Sequence, residues 1–142
     1  MSDAIIQAAI EARLKAWADA QTPPIPIAYE NSGYKPTVGQ RYLRCTLLPA
    51  KPLNPSQGGQ HKHFHGIYQV DVHVPEGGGR SVHSPIVEAL RVLFKRPTTM
   101  PRDGINVNVL QTPATGPGGP NGAGFWMVPL SIYYDANSFT SP

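Results

Sequence analysis

The feature that most constrains this chain is a long stretch, His61–Val74, in which apolar and polar side chains alternate. One set of alternate positions is mostly apolar and holds Phe64, Tyr68, Val70, Val72 and Val74. The other set is mostly polar and holds His61, His63, His65, Gln69, Asp71 and His73. Because successive side chains of a strand point to opposite faces, this period of two predicts a long β-strand with one buried and one wet face.

Two helices are predicted, one on each side of this strand. Apolar residues recur at spacings of three and four over residues 2–18, and Thr22-Pro23-Pro24 ends that pattern. A second helix is predicted from a cap at Ser81 to the basic pair Lys95-Arg96. Pro85 then falls at the fourth helical position, where no intrahelical amide bond is lost.

Further extended segments are predicted at residues 25–31, 41–49, 105–109 and 126–134. Three long loops rich in proline and glycine are predicted at Lys51–Gln60, Lys95–Gly104 and Pro113–Gly124. The order α-β-β-β-α-β-β predicts an α+β fold, with a single mixed, mostly antiparallel sheet and two helices packed on one face. Because 142 residues can bury one core, residues 1–142 are expected to form a single domain.

Composition excludes several classes of protein. No apolar run approaches the ~18 residues of a membrane span, and the start of the chain carries no basic segment typical of a secretory signal. The lone Cys45 excludes an intramolecular disulfide and a cysteine zinc cage. The net charge of +3 is spread along the chain, so it does not predict sequence-specific reading of nucleic acid.

No pattern in the sequence predicts catalysis or a cofactor. Cys45 lies on the apolar side of its predicted strand, where a free cysteine acts as a small hydrophobic residue. The sequence holds no Gly-x-Ser-x-Gly motif, and the glycines at 77–79 complete no phosphate-binding motif. We therefore expect a protein that is not an enzyme and that has no catalytic residues.

The histidines at 61, 63 and 65 leave open a metal-binding alternative. His61, His63 and His65 share one face of the predicted strand, with neighbours ~6.5 Å apart, which can suit two ligands of one zinc. Three successive ligands on one strand, without a carboxylate close in sequence, make an awkward tetrahedral set. The pattern therefore favours a polar strand edge and no metal, with a histidine-based metal module as the rival.

The last predicted strand carries large side chains on both of its faces. These side chains are Trp126, Met127, Tyr133 and Tyr134. Such a strand is either buried on both faces or part of a partner interface, and since the predicted helices cover only one face of the sheet, the pattern favours the partner interface.

The order and spacing of several blocks resemble a known family. The blocks are Trp17 at the end of the first helix, Pro26-Ile27-Ala28-Tyr29-Glu30-Asn31, Tyr42-Leu43-Arg44, Gly66-Ile67-Tyr68-Gln69-Val70-Asp71-Val72 and Ala89-Leu90-Arg91-Val92-Leu93-Phe94. Over about residues 4 to 134 the chain resembles the tail terminator (tail-completion) proteins of siphophages. The histidines at 61–65 are not part of that pattern.

The resemblance implies a structural role in the virion. Members of the family form a hexameric ring that caps the tail tube, ends its elongation and offers the surface to which the head docks. The implied partners are other copies of the chain, the major tail tube protein and the head connector. The implied location is the head-proximal end of the tail, after assembly in the host cytoplasm.

The resemblance also implies DNA passing through the ring. Lining candidates are Arg41, Arg44 and Lys62, and their contact with DNA would be weak and independent of sequence. A head–tail joining or neck protein of the same assembly remains the nearest alternative.

Overall fold

The protein folds around one sheet, and the computed structural model describes residues 2–30, 32–50 and 61–139. Two helices, α1 (Ser2–Asp19) and α2 (Arg80–Leu93), accompany the strands. The strands are β1 (Ile27–Ala28), β2 (Tyr42–Pro49), β3 (His61–Pro75), β4 (Thr99–Arg102), β5 (Ile105–Val109), β6 (Ala114–Thr115), β7 (Gly119–Pro120) and β8 (Phe125–Phe139).

The two longest strands form the centre of the sheet. The order is β1-β2-β3-β8-β5-β4, and β3 and β8 pair antiparallel along their whole lengths, from His61↔Phe139 to Pro75↔Phe125. The far edge of β8 is paired in turn by β5, β6 and β7. Among the described strands only β1 runs parallel to its neighbour, so the sheet is mixed and mostly antiparallel, as the sequence predicts.

The core lies between this sheet and both helices. Even-numbered residues of β3, such as Tyr68 and Val70, join one buried cluster with Ile10 of α1 and Leu90 of α2. Both helices therefore pack on the same face, which confirms the predicted α+β class. We call this the covered face, and the opposite one the open face.

Two of the predicted long loops contain regular structure. β4 lies within Lys95–Gly104 and forms a hairpin with β5 through Asp103-Gly104, where both residues have positive φ. Such a pair suits the tight turn that matches strand twist, and Asp-Gly is a strong signal for it. β6 and β7 lie within Pro113–Gly124. The third predicted loop, Lys51–Gln60, lies outside the described residues.

The start of α2 differs from the prediction. The helix begins at Arg80 with Gly79 as its cap, and Ser81 instead donates its hydroxyl to the carbonyl of Gly78, 3.4 Å away. Pro85 consequently lies inside the helix rather than in its first turn, at the cost of one i→i−4 bond. Glycine at 79 is required because its φ of 71° lies in the left-handed region.

The Glu30 carboxylate hydrogen-bonds to the edge of β2 just beyond the short strand β1. Beyond Ala28 the Glu30 Oε1 accepts the backbone N–H of Leu47 at 2.6 Å and the Nε2–H of Gln7 at 3.3 Å. An unpaired strand edge invites pairing with another chain. Glu30 occupies one edge donor of β2 and so blunts that edge.

Candidate assembly surface

The open face offers a broad surface on which side chains are half-buried or exposed, except for a buried cluster at one end. It is built by the odd-numbered residues of β3 and β8 and the even-numbered residues of β2, which share a face by register. Rows of side chains therefore cross the sheet, each about 6.8 Å from the next along the strands. The rows differ in chemistry from one end of the face to the other.

An aromatic cluster closes one end of the open face. The Tyr42 and His73 rings stack with centroids 4.5 Å apart and planes 4° apart, and the Phe125 ring meets Tyr42 edge-on at 5.2 Å. Tyr34, from the connection before β2, lies 5.6 Å from Tyr42. This end is buried without help from either helix.

Hydrogen bonds fix the charge and the tautomer of His73 within this cluster. The Asn121 Oδ1 accepts the backbone N–H groups of Ala123 at 2.7 Å and Phe125 at 3.3 Å, so its Nδ2 faces His73 Nδ1 at 3.1 Å. His73 Nδ1 must therefore accept, which makes His73 neutral with its proton on Nε2. Burial lowers the pKa of His73, with a smaller contribution from Arg44 that Asp71 opposes.

Two of the three predicted DNA-lining cations have described side chains, and these two make different contacts. Arg44 is exposed on the open face, with its guanidinium carbon 6.0 Å from the centre of the Tyr42 ring. Arg41 instead donates from Nη2 to the carbonyl of Pro23 at 3.0 Å, beside the end of α1. The Lys62 side chain lies outside the described part of the structure.

A polar network occupies the other end of the open face. His63 Nε2 lies 3.0 Å from Asp135 Oδ2, and Asn108 Nδ2 donates to Asp135 Oδ1 at 3.2 Å. The His63 and His65 rings lie 5.7 Å apart, while the side chain of His61 lies outside the described residues. Within residues 2–30, 32–50 and 61–139, no group of three or more His, Cys, Asp or Glu side chains could hold a metal ion.

An apolar row crosses the open face next to this network. Leu48 pairs with Ile67, Ile67 pairs with Tyr133, and the N–H of Leu110 donates to the Tyr133 carbonyl at 2.9 Å. Leu48 and Leu110 are 46% and 45% exposed. We call these four residues the open-face row. Of the four, only Tyr133 was singled out by the sequence, although Leu48 and Ile67 break the polar phase of their strands.

The four large side chains predicted for an interface divide between the two faces. Met127 and Tyr133 lie half-buried on the open face, whereas Tyr134 is fully buried under the helices. Tyr134 has no surface to offer a partner, so that part of the prediction is corrected. Trp126 is 36% exposed at the margin of the covered face.

Trp126 lies beside two cavities along α2. One, of about 280 Å³, is formed with the 77–79 glycines and Arg80. The other, of about 350 Å³, lies between α2 and the segment around Gly118. A Cβ at Gly118 would come 2.6 Å from the Trp126 Nε1, so that backbone rests directly on the indole.

The buried Cys45 thiol packs in the core and is a poor candidate for a nucleophile. Burial raises the pKa of Cys45 to about 12, because its thiolate would lie in the apolar layer under α1. A thiol that stays protonated is a poor nucleophile.

Neither helix of the described ranges is long and apolar enough to cross a membrane.

Comparison with known proteins connects this architecture to a family. The family model "Phage tail terminator protein" matches residues 5–134. One solved structure, of a protein named only by a sequence identifier, is 32% identical and superposes with a TM-score of 0.82, covering 100% of this chain and 99% of the other. No curated protein matches the sequence. With a family match over nearly its whole length, the chain belongs to the phage tail terminator family and is a structural protein of the phage tail.

Proposed function

We propose that this protein ends the growth of a siphophage tail tube. It forms a ring, of six subunits, at the head-proximal tip of the tube, and that ring provides the surface to which the head connector docks. The observation that carries the proposal is the tail terminator match over residues 5–134. The exposed apolar row on the open face supports it, because a subunit of a ring must bury surface that is exposed in the isolated chain.

The proposed ring surrounds the path of the DNA. Arg44 is the described lining candidate that stands exposed on the open face. DNA must slide through such a channel, so a few separated cations that attract phosphate weakly suit it better than a tight basic patch. Arg41 and Lys62 remain lining candidates in this proposal.

The test is the length of tails made without the protein. We expect electron microscopy of a deletion strain to show tubes that exceed the normal length and carry no heads. Purified protein added back during assembly should restore a narrow length distribution. Tails of normal length with clean ends in the deletion strain would contradict the proposal.

The same experiment separates the proposed role from that of a neck protein. A neck protein acts after the tube is complete, so its loss leaves tails of normal length that fail to join heads.

Light scattering over a range of concentrations shows whether free protein is a monomer that assembles on the tube tip or a preformed ring.

A further inference from the structure

Two unlike surfaces lie on opposite sides of the subunit. The first is the open-face row, Leu48, Ile67, Tyr133 and Leu110. Since adjacent strands are about 4.8 Å apart, four positions on neighbouring strands form an apolar line roughly 15 Å long. Single exposed apolar residues are ordinary, but a contiguous line of them across a sheet marks an interaction surface.

The second surface is the outward side of α2 at its C-terminal half. Glu88, Arg91 and Val92 lie at helical spacing, opposite the buried Ile86, Val87 and Leu90. We call Glu88, Arg91 and Val92, together with the exposed Lys95 just beyond the end of the helix, the α2 ridge. Val92 is 64% exposed, which makes it a large apolar side chain in the middle of a charged stripe.

The charges of the ridge leave it positive. Arg91 Nη1 lies 3.7 Å from Glu88 Oε1, and the two side chains are 40% and 70% exposed. Lys95 follows the end of the helix and has no ion pair within the described part of the chain. One acid against two cations gives the ridge a positive balance around Val92.

Apart from the histidines, two carboxylates and one cation flank the open-face row, so its margin has a negative balance. Asp135 lies one row away on one side, and Asp71 lies two rows away on the other, next to Arg44. Asp135 keeps a fixed position, because His63 and Asn108 both contact its carboxylate. An apolar line with a net negative margin thus complements an apolar side chain with net positive surroundings.

We propose that the α2 ridge of one subunit packs on the open-face row of a second copy of this chain. Val92 lies against the apolar row, and Arg91 and Lys95 lie over its acidic margin. The apolar row is then the centre of the contact and the polar rows beside it are the rim. This inference rests on the proposed ring, for which it assigns the contact between neighbours.

The contact is head-to-tail, because the two surfaces are different and lie in different layers of the subunit. Two copies joined in this way keep one free ridge and one free row between them, so the contact repeats and closes a ring when the rotation between neighbours allows it. A symmetric dimer would place cations against cations or acids against acids, which electrostatics disfavours.

Cross-linking through introduced cysteines tests this arrangement. Val92→Cys and Leu48→Cys are made separately and together, and concentrated free protein and purified tails are both treated with a bis-maleimide of about 10 Å reach. Cys45 stays silent because it is buried with a raised pKa. We expect the double variant to give a ladder of covalent multimers and each single variant to give monomer.

Several results would overturn the inference. A dimer from either single variant indicates a symmetric contact, and a double variant that stays monomeric on tails places the contact elsewhere. Leu110→Cys with Val92→Cys repeats the test at the other end of the row. Val38→Cys with Leu48→Cys is the matched control, because Val38 is 96% exposed and belongs to neither surface.

Failure of this inference is distinguishable from failure of the proposed function. If deletion lengthens the tails but Val92→Asp and Leu48→Asp proteins restore normal length, the docking surfaces are wrong and the terminator role stands. If deletion leaves tails normal, the terminator role itself fails. We expect both charged variants to remain folded and to leave the tails overlong.

Discussion

The two faces of the sheet share the same strands but obtain their order from different sources. On the covered face, neighbours such as Val70 and Leu130 pair across β3 and β8 and are fully buried by the helices. On the open face, Ile67 and Tyr133 pair across the same two strands but remain partly exposed. One register therefore serves both a complete core and a surface that stays partly exposed.

The largest difference in the free energy of unfolding is expected between leucine-to-alanine substitutions on the two faces. Leu130→Ala should lower the free energy of unfolding by about 2–5 kcal/mol, because it leaves a cavity under the helices. Leu48→Ala should lower it by only about 1 kcal/mol or less, because the residue is already 46% exposed. Urea unfolding of both variants measures the difference. Equal losses would mean that the open face is as tightly packed as the core.

Gly66 tests how closely the backbones approach where β2 ends. A Cβ there would lie 2.6 Å from the carbonyl oxygen of Leu48 and 2.9 Å from the Cα of Pro49, so the backbone itself must move. We expect Gly66→Ala to cost about 1–3 kcal/mol of unfolding free energy. Gly119→Ala, with no atom within 4 Å, is the control and should be near neutral in thermal melts.

The free energy of unfolding should depend on pH through His73, in the aromatic cluster of the open face. Burial holds the pKa of His73 below its ordinary 6.5, so the unfolded chain takes up the proton first as pH falls. Stability is therefore full above about pH 6.5 and declines below it, by no more than about 1.4 kcal/mol per pH unit for one group. Urea unfolding between pH 5 and pH 8 measures this slope.

Two variants assign that slope to His73. His73→Phe should remove its contribution while keeping a ring stacked on Tyr42. Asn121→Asp should reduce or reverse it, because a carboxylate beside Nδ1 favours the imidazolium. A slope unchanged in both variants would mean that other groups are responsible.

The smallest effect on stability, but a clear contrast in reactivity, is expected for cysteines on the two faces. Cys45 should resist alkylation at pH 8 until the protein unfolds, since it is buried and its pKa is about 12. A Leu48→Cys thiol on the open face should react at once. Rapid labelling of native wild-type protein would show that the layer under α1 opens readily.

Much of the fold follows from local patterns in the sequence. The period of two in β3 and β8 and the helical spacing in α1 and α2 predict these elements closely, because each pattern reflects one buried face. The hairpin at Asp103-Gly104 was missed although its turn signal is present. The short strands β6 and β7 carry no such signal, since the edge of β8 alone makes them strands.

The candidate surface was less predictable for a physical reason. Alternation tells which side chains share a face, so Tyr133 and Met127 could be assigned to one side of the last strand. It does not tell which strands are neighbours, and the open-face row exists only because β2, β3, β8 and β5 are adjacent. Tyr134 was misassigned because the sequence did not show how much of its face the helices cover.

The sequence by itself determined the class of fold, the long central strands and the block order that resembles the tail terminators. These depend on local spacing, which the chain carries whatever its tertiary contacts. Only the tertiary structure decided which apolar residues gather into a surface, what Arg41 and Arg44 contact, and which ring nitrogen of His73 carries the proton. Those properties depend on strand order and on contacts between residues distant in the chain, such as His73 and Asn121.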